Sequence, residues 1–374
     1  MNVFFIGAFN QISQEMSSNS SVAGSKVQME IISSLSSLYD KDSIKSVVFP
    51  ELASWPKNKL FIRKRRFENV VSLPIINLPV VKRFLFSIQA LFLIIKHKPE
   101  FIVQYNTTFL MNSFMFFYKF FCDKRILILQ DLNSNVAFNA KLLLSPVGLF
   151  NYLGAKTIKR SFDFFIPISN ALVNDLKLPV ERCSIWQGGV TNLELINSFR
   201  LDKKYIAVFA GALEEYNGID ILVSRWVELN SDIELHIFGT GSLSDKICEA
   251  SELYKNIKYH GFKSPDIVAS YVQSALLNFC LRYSKGIDQD YFFPSKFFDL
   301  LMCQGNFLCN NFNNIPDDLK RYIVFLDDDL LNLKDFLDFD FPDDASVSER
   351  KKHLLLKYTW TPFLKSVFNC LENN

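Results

Sequence analysis

The chain has 374 residues, 49% hydrophobic and 21% charged, which excludes intrinsic disorder, and its 13 Gly and 13 Pro exclude a collagen-like or low-complexity chain. That length suits two domains of about 150–200 residues each. The net charge of +2 hides a split: residues 1–190 carry 22 Lys/Arg against 12 Asp/Glu (+10), and residues 191–374 carry 19 against 27 (−8).

The N-terminal MNVFFIGAF has no basic leader and no cleavage site, so it predicts a first β-strand. Further strands are predicted at Ser46–Phe49, Phe101–Tyr105, Arg125–Gln130 and Phe164–Ile168, with helical periodicity around 25–38, 80–97, 108–121 and 145–160. The pattern restarts with strands at Tyr205–Gly211, Glu234–Gly239, Ile257–Gly261, Ala275–Leu281 and Asn306–Asn310. Helices alternate with them near 218–228, 242–254, 265–273 and 295–303. Strands alternating with helices read as an α/β protein with parallel sheets. The boundary is placed in Trp186-Gln187-Gly188-Gly189-Val190, giving domains 1–190 and 191–357. A helical tail over 346–372, broken around Tyr358–Pro362, suits a final helix (about 358–374) that packs on the first domain.

The longest apolar run, Phe84 to Ile95, is 12 residues, short of the roughly 20 that span a bilayer. It is expected to lie on a membrane and not to cross one. The seven cysteines are scattered without metal or redox spacing, so a reducing cytosol is expected. The four histidines show no ligand spacing, and Asp327-Asp328-Asp329 lacks the EF-hand pattern; no metal site is expected.

Four segments carry chemistry. In the first, the loop Asn10–Gly24 followed by Ser25-Lys26 brings free amides and one cation to a helix start, a place for an anion. In the second, Phe209–Ile219 puts Gly211, Asn217 and Gly218 at the carboxyl edge of the second sheet, where open α/β sheets bind ligands. In the third, Pro294-Ser295-Lys296 is expected to open a helix, with Asp299 one turn on and Gly305 at its end. In the fourth, Asp131 follows a first-domain strand, as Asn106 does more weakly; a helix cap accounts for Asp131 about equally well.

In this order the segments resemble the GT-B glycosyltransferases, most closely family 4, also called group 1. The likeness is carried by AGSK (23–26), QGGV (187–190), AGALEEYNGID (210–220), HIFGTGSL (236–243), IKYHGF (257–262) and FFPSKFFDLLMCQG (292–305), a Pro-Ser-Lys variant of the family's segment. The resemblance implies two Rossmann-like domains facing a cleft, with the donor nucleotide on the second and the acceptor on the first. It implies a retaining sugar transferase that needs no cofactor beyond its nucleotide-diphosphate sugar, a UDP-sugar being favoured. By position it assigns Gly24, Gly211, Asn217, Gly218, Gly239, Pro294, Ser295, Lys296 and Asp299 to the donor, with Asp299 on the ribose and Phe262 near the base. Asp131 and Lys296 take the catalytic positions. The chain departs from the family at Ala212 and Asn217, where Arg and Lys usually meet the phosphates, and at Tyr291, where the first of two paired acids usually stands.

The basic, Phe-rich first half fits the acceptor side. Residues 51–125 hold 13 basic and 4 acidic residues, including Arg63, Lys64, Arg65 and Arg66, and with Lys26 and Asn106 these mark an acceptor and anionic membrane surface. A solvated basic face over an aromatic core is the competing reading. Nucleic acid is not expected, because no recognition motif accompanies the basic run. The expected setting is the cytoplasm, peripheral to the inner face of the cell membrane, in bacterial O-antigen or capsule synthesis. A catalytically weak partner protein of the same fold is the alternative, motivated by Ala212, Asn217 and Tyr291.

Overall fold

The computed structural model describes residues 2–9, 22–67, 69–106, 109–130, 153, 156–191, 202–285 and 289–372. The chain divides into two compact units, Met1–Gln187 with Trp360–Asn374, and Gly188–Thr359. The division falls inside the Trp186–Val190 stretch.

The first unit is built on strands β1 (Val3–Ala8), β2 (Ile44–Phe49), β4 (Arg65–Phe67), β5 (Val70–Ser72), β7 (Phe101–Tyr105), β8 (Lys124–Leu129) and β9 (Phe164–Pro167), with a small separate ribbon of β3 (Phe61–Ile62) and β6 (Ile75–Ile76). The sheet runs β4-β5-β2-β1-β7-β8-β9, parallel except for the antiparallel edge strand β4. Its central strands are apolar and buried along almost their whole length, because helices cover both faces of a parallel sheet. The described helices include α1 (Val22–Leu38), α2 (Val81–His97) and α3 (Phe109–Tyr118). Of the helix expected over 145–160, residues 156–161 are helical and most of the rest lies outside the described residues.

The tail divides into helices Asp344–Lys357 and Trp360–Glu372, and only the latter belongs to the first unit. Trp360, Leu364, Val367, Phe368 and Leu371 recur at helical spacing and are buried in the core shared with Ile31, Leu35 and Phe101. Burial of each such side chain contributes roughly 1.5–3 kcal/mol, so this helix is a structural wall of a domain that the chain left about 170 residues earlier. Phe363 stacks on Trp186 at 4.2 Å.

The second unit holds β10 (Lys204–Ala210), β11 (Glu234–Phe238), β12 (Ile257–Tyr259), β13 (Ala275–Phe279), β14 (Asn306–Asn310) and β15 (Val324–Leu326). All are parallel, in the order β12-β11-β10-β13-β14-β15. Counted along the chain this is 3-2-1-4-5-6, the doubly wound order of dinucleotide-binding domains. The first unit repeats it when the edge strand β4 is set aside. In such sheets successive helices switch faces beside strand 1, leaving a crevice outside the carboxyl ends of strands 1 and 4. That point falls between β10 and β13 in the second unit, and between β1 and β7 in the first.

No helix among the described residues is long and apolar enough to cross a membrane. The seven cysteines are free thiols, with Cys280, Cys303 and Cys309 buried.

Candidate functional site

The switch point of the second unit is lined by glycine loops laced together by backbone bonds. Gly211 N–H donates to the Phe238 carbonyl, Gly239 N–H to the Gly261 carbonyl, and Leu213 and Thr240 join the loops after β10 and β11. Glu214 then accepts from the backbone N–H and hydroxyl of Ser242, and these two bonds hold its carboxyl below the ordinary range. Gly239 has φ +131°, and a Cβ there would stand 1.8 Å from the Gly211 carbonyl oxygen. Gly239→Ala is therefore expected to push the two loops apart and to destabilise the unit by roughly 2–4 kcal/mol. A thermal melt that matches the parent would refute that reading.

Two cations reach this edge. Lys296 is exposed, yet its Nζ donates to the Ala210 carbonyl at 2.9 Å, the last residue of β10. Arg282 lies just past β13: its Nη1 donates to Asn217 Oδ1 at 2.8 Å, its guanidinium carbon stands 5.1 Å from the centre of the Tyr216 ring, and its backbone N–H donates to Asn310. Burial lowers its proton affinity, opposed by Cys280 and Tyr216. Its Nε–H is buried without a hydrogen-bond partner among the described residues. Sequence reading missed Arg282, although its place directly after an apolar strand is where carboxyl-edge ligands are met. Asn217, read as a lost cation, is instead the acceptor that fixes one; its own amide donates to the Ala212 carbonyl. Gly218, at φ +64°, turns the chain into the helix Ile219–Leu229, whose N-terminus has no side-chain cap.

The Pro294 segment differs from expectation. The helix is Phe297–Leu301, with Lys296 at its N-cap, so Pro294 and Ser295 precede it in a turn closed by the Phe297 N–H on the Pro294 carbonyl. Four of its five residues are buried aromatic or aliphatic side chains, so packing and not length sustains it. Gly305 does not end this helix. It stands where β13 comes so close that a Cβ would meet the Ala275 carbonyl at 2.1 Å, and the buried Arg350 donates to the carbonyls of Cys303 and Gly305. The Asp299 oxygens accept from the Thr191 N–H at 2.9 Å and the Thr191 hydroxyl at 2.8 Å. The carboxylate thus ties Thr191, the residue after QGGV, to the helix. Phe262 is 56% exposed just beyond β12.

The histidines are less scattered than their spacing suggests. His236 Nδ1 and His260 Nε2 are 2.9 Å apart with stacked rings; burial lowers the proton affinity of both, opposed at His236 by Glu234, whose carboxylate lies 3.2 Å from its Nε2.

In the first unit Gly24 is not a loop residue before the helix but lies inside the first turn of α1, with Ser25 and Lys26 following. Gln28 stitches α1 to β1, accepting from Ala8 N–H at 2.8 Å and donating to the carbonyls of Ala8 and Gly24. Asn106, at φ +49°, caps β7 at its carboxyl end: its Oδ1 accepts from the Gln130 N–H and its own N–H donates to the Ile128 carbonyl. Gln130 in turn donates to the Trp186 carbonyl. Asp131 and most of the loop Asn10–Gly24 lie outside the described residues. Arg63, Lys64, Arg65 and Arg66 are exposed at the β4 edge of the sheet.

No family model and no curated protein sequence matches the chain. Solved structures do. The UDP complex of HepE from Anabaena superposes with a TM-score of 0.65 at 12% identity over 100% of both chains. WaaG, a glycosyltransferase involved in lipopolysaccharide biosynthesis, gives 0.61 at 10% identity over 98% of each chain. WaaB, a lipopolysaccharide outer core galactosyltransferase, gives 0.61 at 12% identity over 99% of each. With two doubly wound α/β units and a terminal helix that rejoins the first, the chain has the GT-B fold of these proteins.

Proposed function

We propose that the chain is a retaining glycosyltransferase that moves a sugar from a nucleotide-diphosphate sugar to a lipid-linked or saccharide acceptor in the synthesis of bacterial surface polysaccharide, O-antigen or capsule. The observation that carries this reading is the placing of Lys296 on the end of β10 and of Arg282 just past β13, the two strands that flank the switch point of the second sheet. An otherwise acidic half of the chain brings two cations and a glycine-laced edge to the point where an α/β sheet binds its ligand, and a diphosphate matches that charge. UDP-sugars are favoured because similar folds have been captured with UDP and with UDP-glucose.

In this reading the diphosphate lies across the loops after β10 and β13. Lys296 and Arg282 stabilise the charge that grows on the leaving diphosphate, Asp299 accepts from a ribose hydroxyl, and Phe262 lies beside the base. Preorganised donors of this kind act most strongly on charge that develops during the reaction. Charge neutralisation is assigned to these side chains, so no metal is required. The first unit supplies the acceptor side, with Asn106 and Lys26 near its own switch point and Asp131 as the candidate catalytic acid. The basic β4 edge and the exposed aromatics support a peripheral position at the inner face of the cell membrane.

A thermal shift panel of UDP, GDP, ADP, CMP and dTDP sugars tests the reading. One nucleotide diphosphate series, UDP being expected, should raise the melting temperature; no shift with any of them removes the proposal. Ala212 and Tyr291, which stand where an Arg and an acid are usual, favour a second reading, a GT-B protein with weak or no transfer activity, and measured transfer or donor hydrolysis excludes its inactive form.

A further inference from the structure

Away from the carboxyl edges, the first unit contains a crevice of about 420 Å³ between α2 and the strands β1, β2, β5 and β4. Phe4, Val47, Val71 and Leu93 give it an apolar floor, and Lys45, Lys64 and Arg66 stand around it. Strand register accounts for the grouping. Phe4 pairs with Lys45, Val47 with Val71, and Val71 with Arg66, so these side chains leave the sheet on one face. Asp42 is the one acid among the described lining residues, and none of the three cations has an ion-pair partner among the described residues. His97 closes one end, its proton affinity lowered by burial and then by Lys45 and Lys96.

Part of the rim is itself apolar. Phe92 lines the crevice and is 67% exposed; Phe84 and Ile95 on the same helix, and Phe116, Phe117 and Phe120 on or just after α3, are exposed as well. Lys119 sits 4.1 Å from the Phe116 ring centre, a cation over an exposed aromatic. A free phosphate would satisfy the cations and leave the apolar floor and rim in water. A phosphate on an apolar stem satisfies both.

We propose that this crevice binds the phosphate headgroup of an anionic membrane lipid, the neighbouring aromatics entering the interface beside it. The inference rests on the membrane-surface reading above and names the contact that makes it specific. The chain assigns three unpaired cations to one headgroup, whereas general attraction would draw on any exposed basic residue.

The test is co-sedimentation of the full chain with phosphatidylglycerol–phosphatidylcholine vesicles at 0.1 M salt. Lys45, Lys64 and Arg66 are exposed, so their replacement should leave the fold intact. The pair Lys45→Ala and Arg66→Ala is expected to weaken vesicle binding at least tenfold. A control pair with the same charge loss, Lys159→Ala and Arg160→Ala on the helix at 156–161, should weaken it less than threefold. Glycerol 3-phosphate at the concentration of outer-leaflet lipid should not displace the protein. Equal losses from both pairs would reduce the crevice to a diffuse basic field and overturn the proposal. Displacement by glycerol phosphate would overturn it in favour of a soluble phosphate ester. A parent chain that ignores anionic vesicles overturns both the crevice and the membrane placement, whereas the nucleotide panel judges the transferase reading separately.

Discussion

Replacement of Lys296 by alanine is expected to lower sugar transfer at least tenfold, and toward the 10²- to 10³-fold loss typical of deleting one preorganised donor to a developing anion. The ammonium is fixed by the Ala210 carbonyl at 2.9 Å, at the end of the strand that begins the second sheet. It is therefore positioned before any donor arrives, and its effect on the leaving diphosphate should grow as the glycosidic bond breaks. That predicts a split in the kinetics, with kcat falling more than KM rises. The structural cost is separable: it includes the hydrogen bond to the Ala210 carbonyl, worth about 1 kcal/mol, and a thermal melt of the variant reads it apart from turnover. Lys296→Arg should restore part of the rate, since the charge is kept while its reach changes. Unchanged turnover in Lys296→Ala, with saturating donor, would sink the role.

How much of the fold and the site is legible in the sequence follows from burial and periodicity. Central strands such as Val3–Ala8 and Asn306–Asn310 are apolar on both faces, a pattern that a strand covered by helices on each side requires and an exposed segment avoids. The two- and three-residue strands β3 to β6 and the edge strand β15 carry no such signal, because an edge strand needs to bury only one side. Pro294 signals a helix start about three residues early: a proline suits the first turn of a helix, and here it closes a turn just before one. Gly305 signals a helix end when its reason is the close approach of Ala275, a tertiary contact that no local pattern reveals. Asn217 looks like the loss of a phosphate-binding cation, because a sequence shows which residue replaced Lys but not which side chain 65 positions later comes to rest on it.

That last pair supports a second expected result. Arg282→Met should weaken UDP binding by about 10- to 100-fold, the loss of roughly 1.5–3 kcal/mol for hydrogen bonds to a charged group. Uridine, which lacks the phosphates, should bind the variant and the parent equally. Calorimetry with the two ligands separates a phosphate contact from a general distortion of the base site. The same substitution should not destabilise the protein in the absence of nucleotide. The guanidinium is half-buried, burial lowers its proton affinity, and its Nε–H has no hydrogen-bond partner among the described residues. In the ligand-free chain it therefore carries a desolvation cost that a methionine of similar volume avoids. A melting temperature at or above the parent's, together with lost UDP affinity, is the signature of a cation held in place for an anion that binds there. Asn217→Ala should act in the same direction but less, since it frees the guanidinium from the bond at 2.8 Å without removing its charge. If UDP binds Arg282→Met as tightly as the parent, the guanidinium is a structural brace between the loops after β10 and β13, and the diphosphate must be met by Lys296 and the loop amides alone.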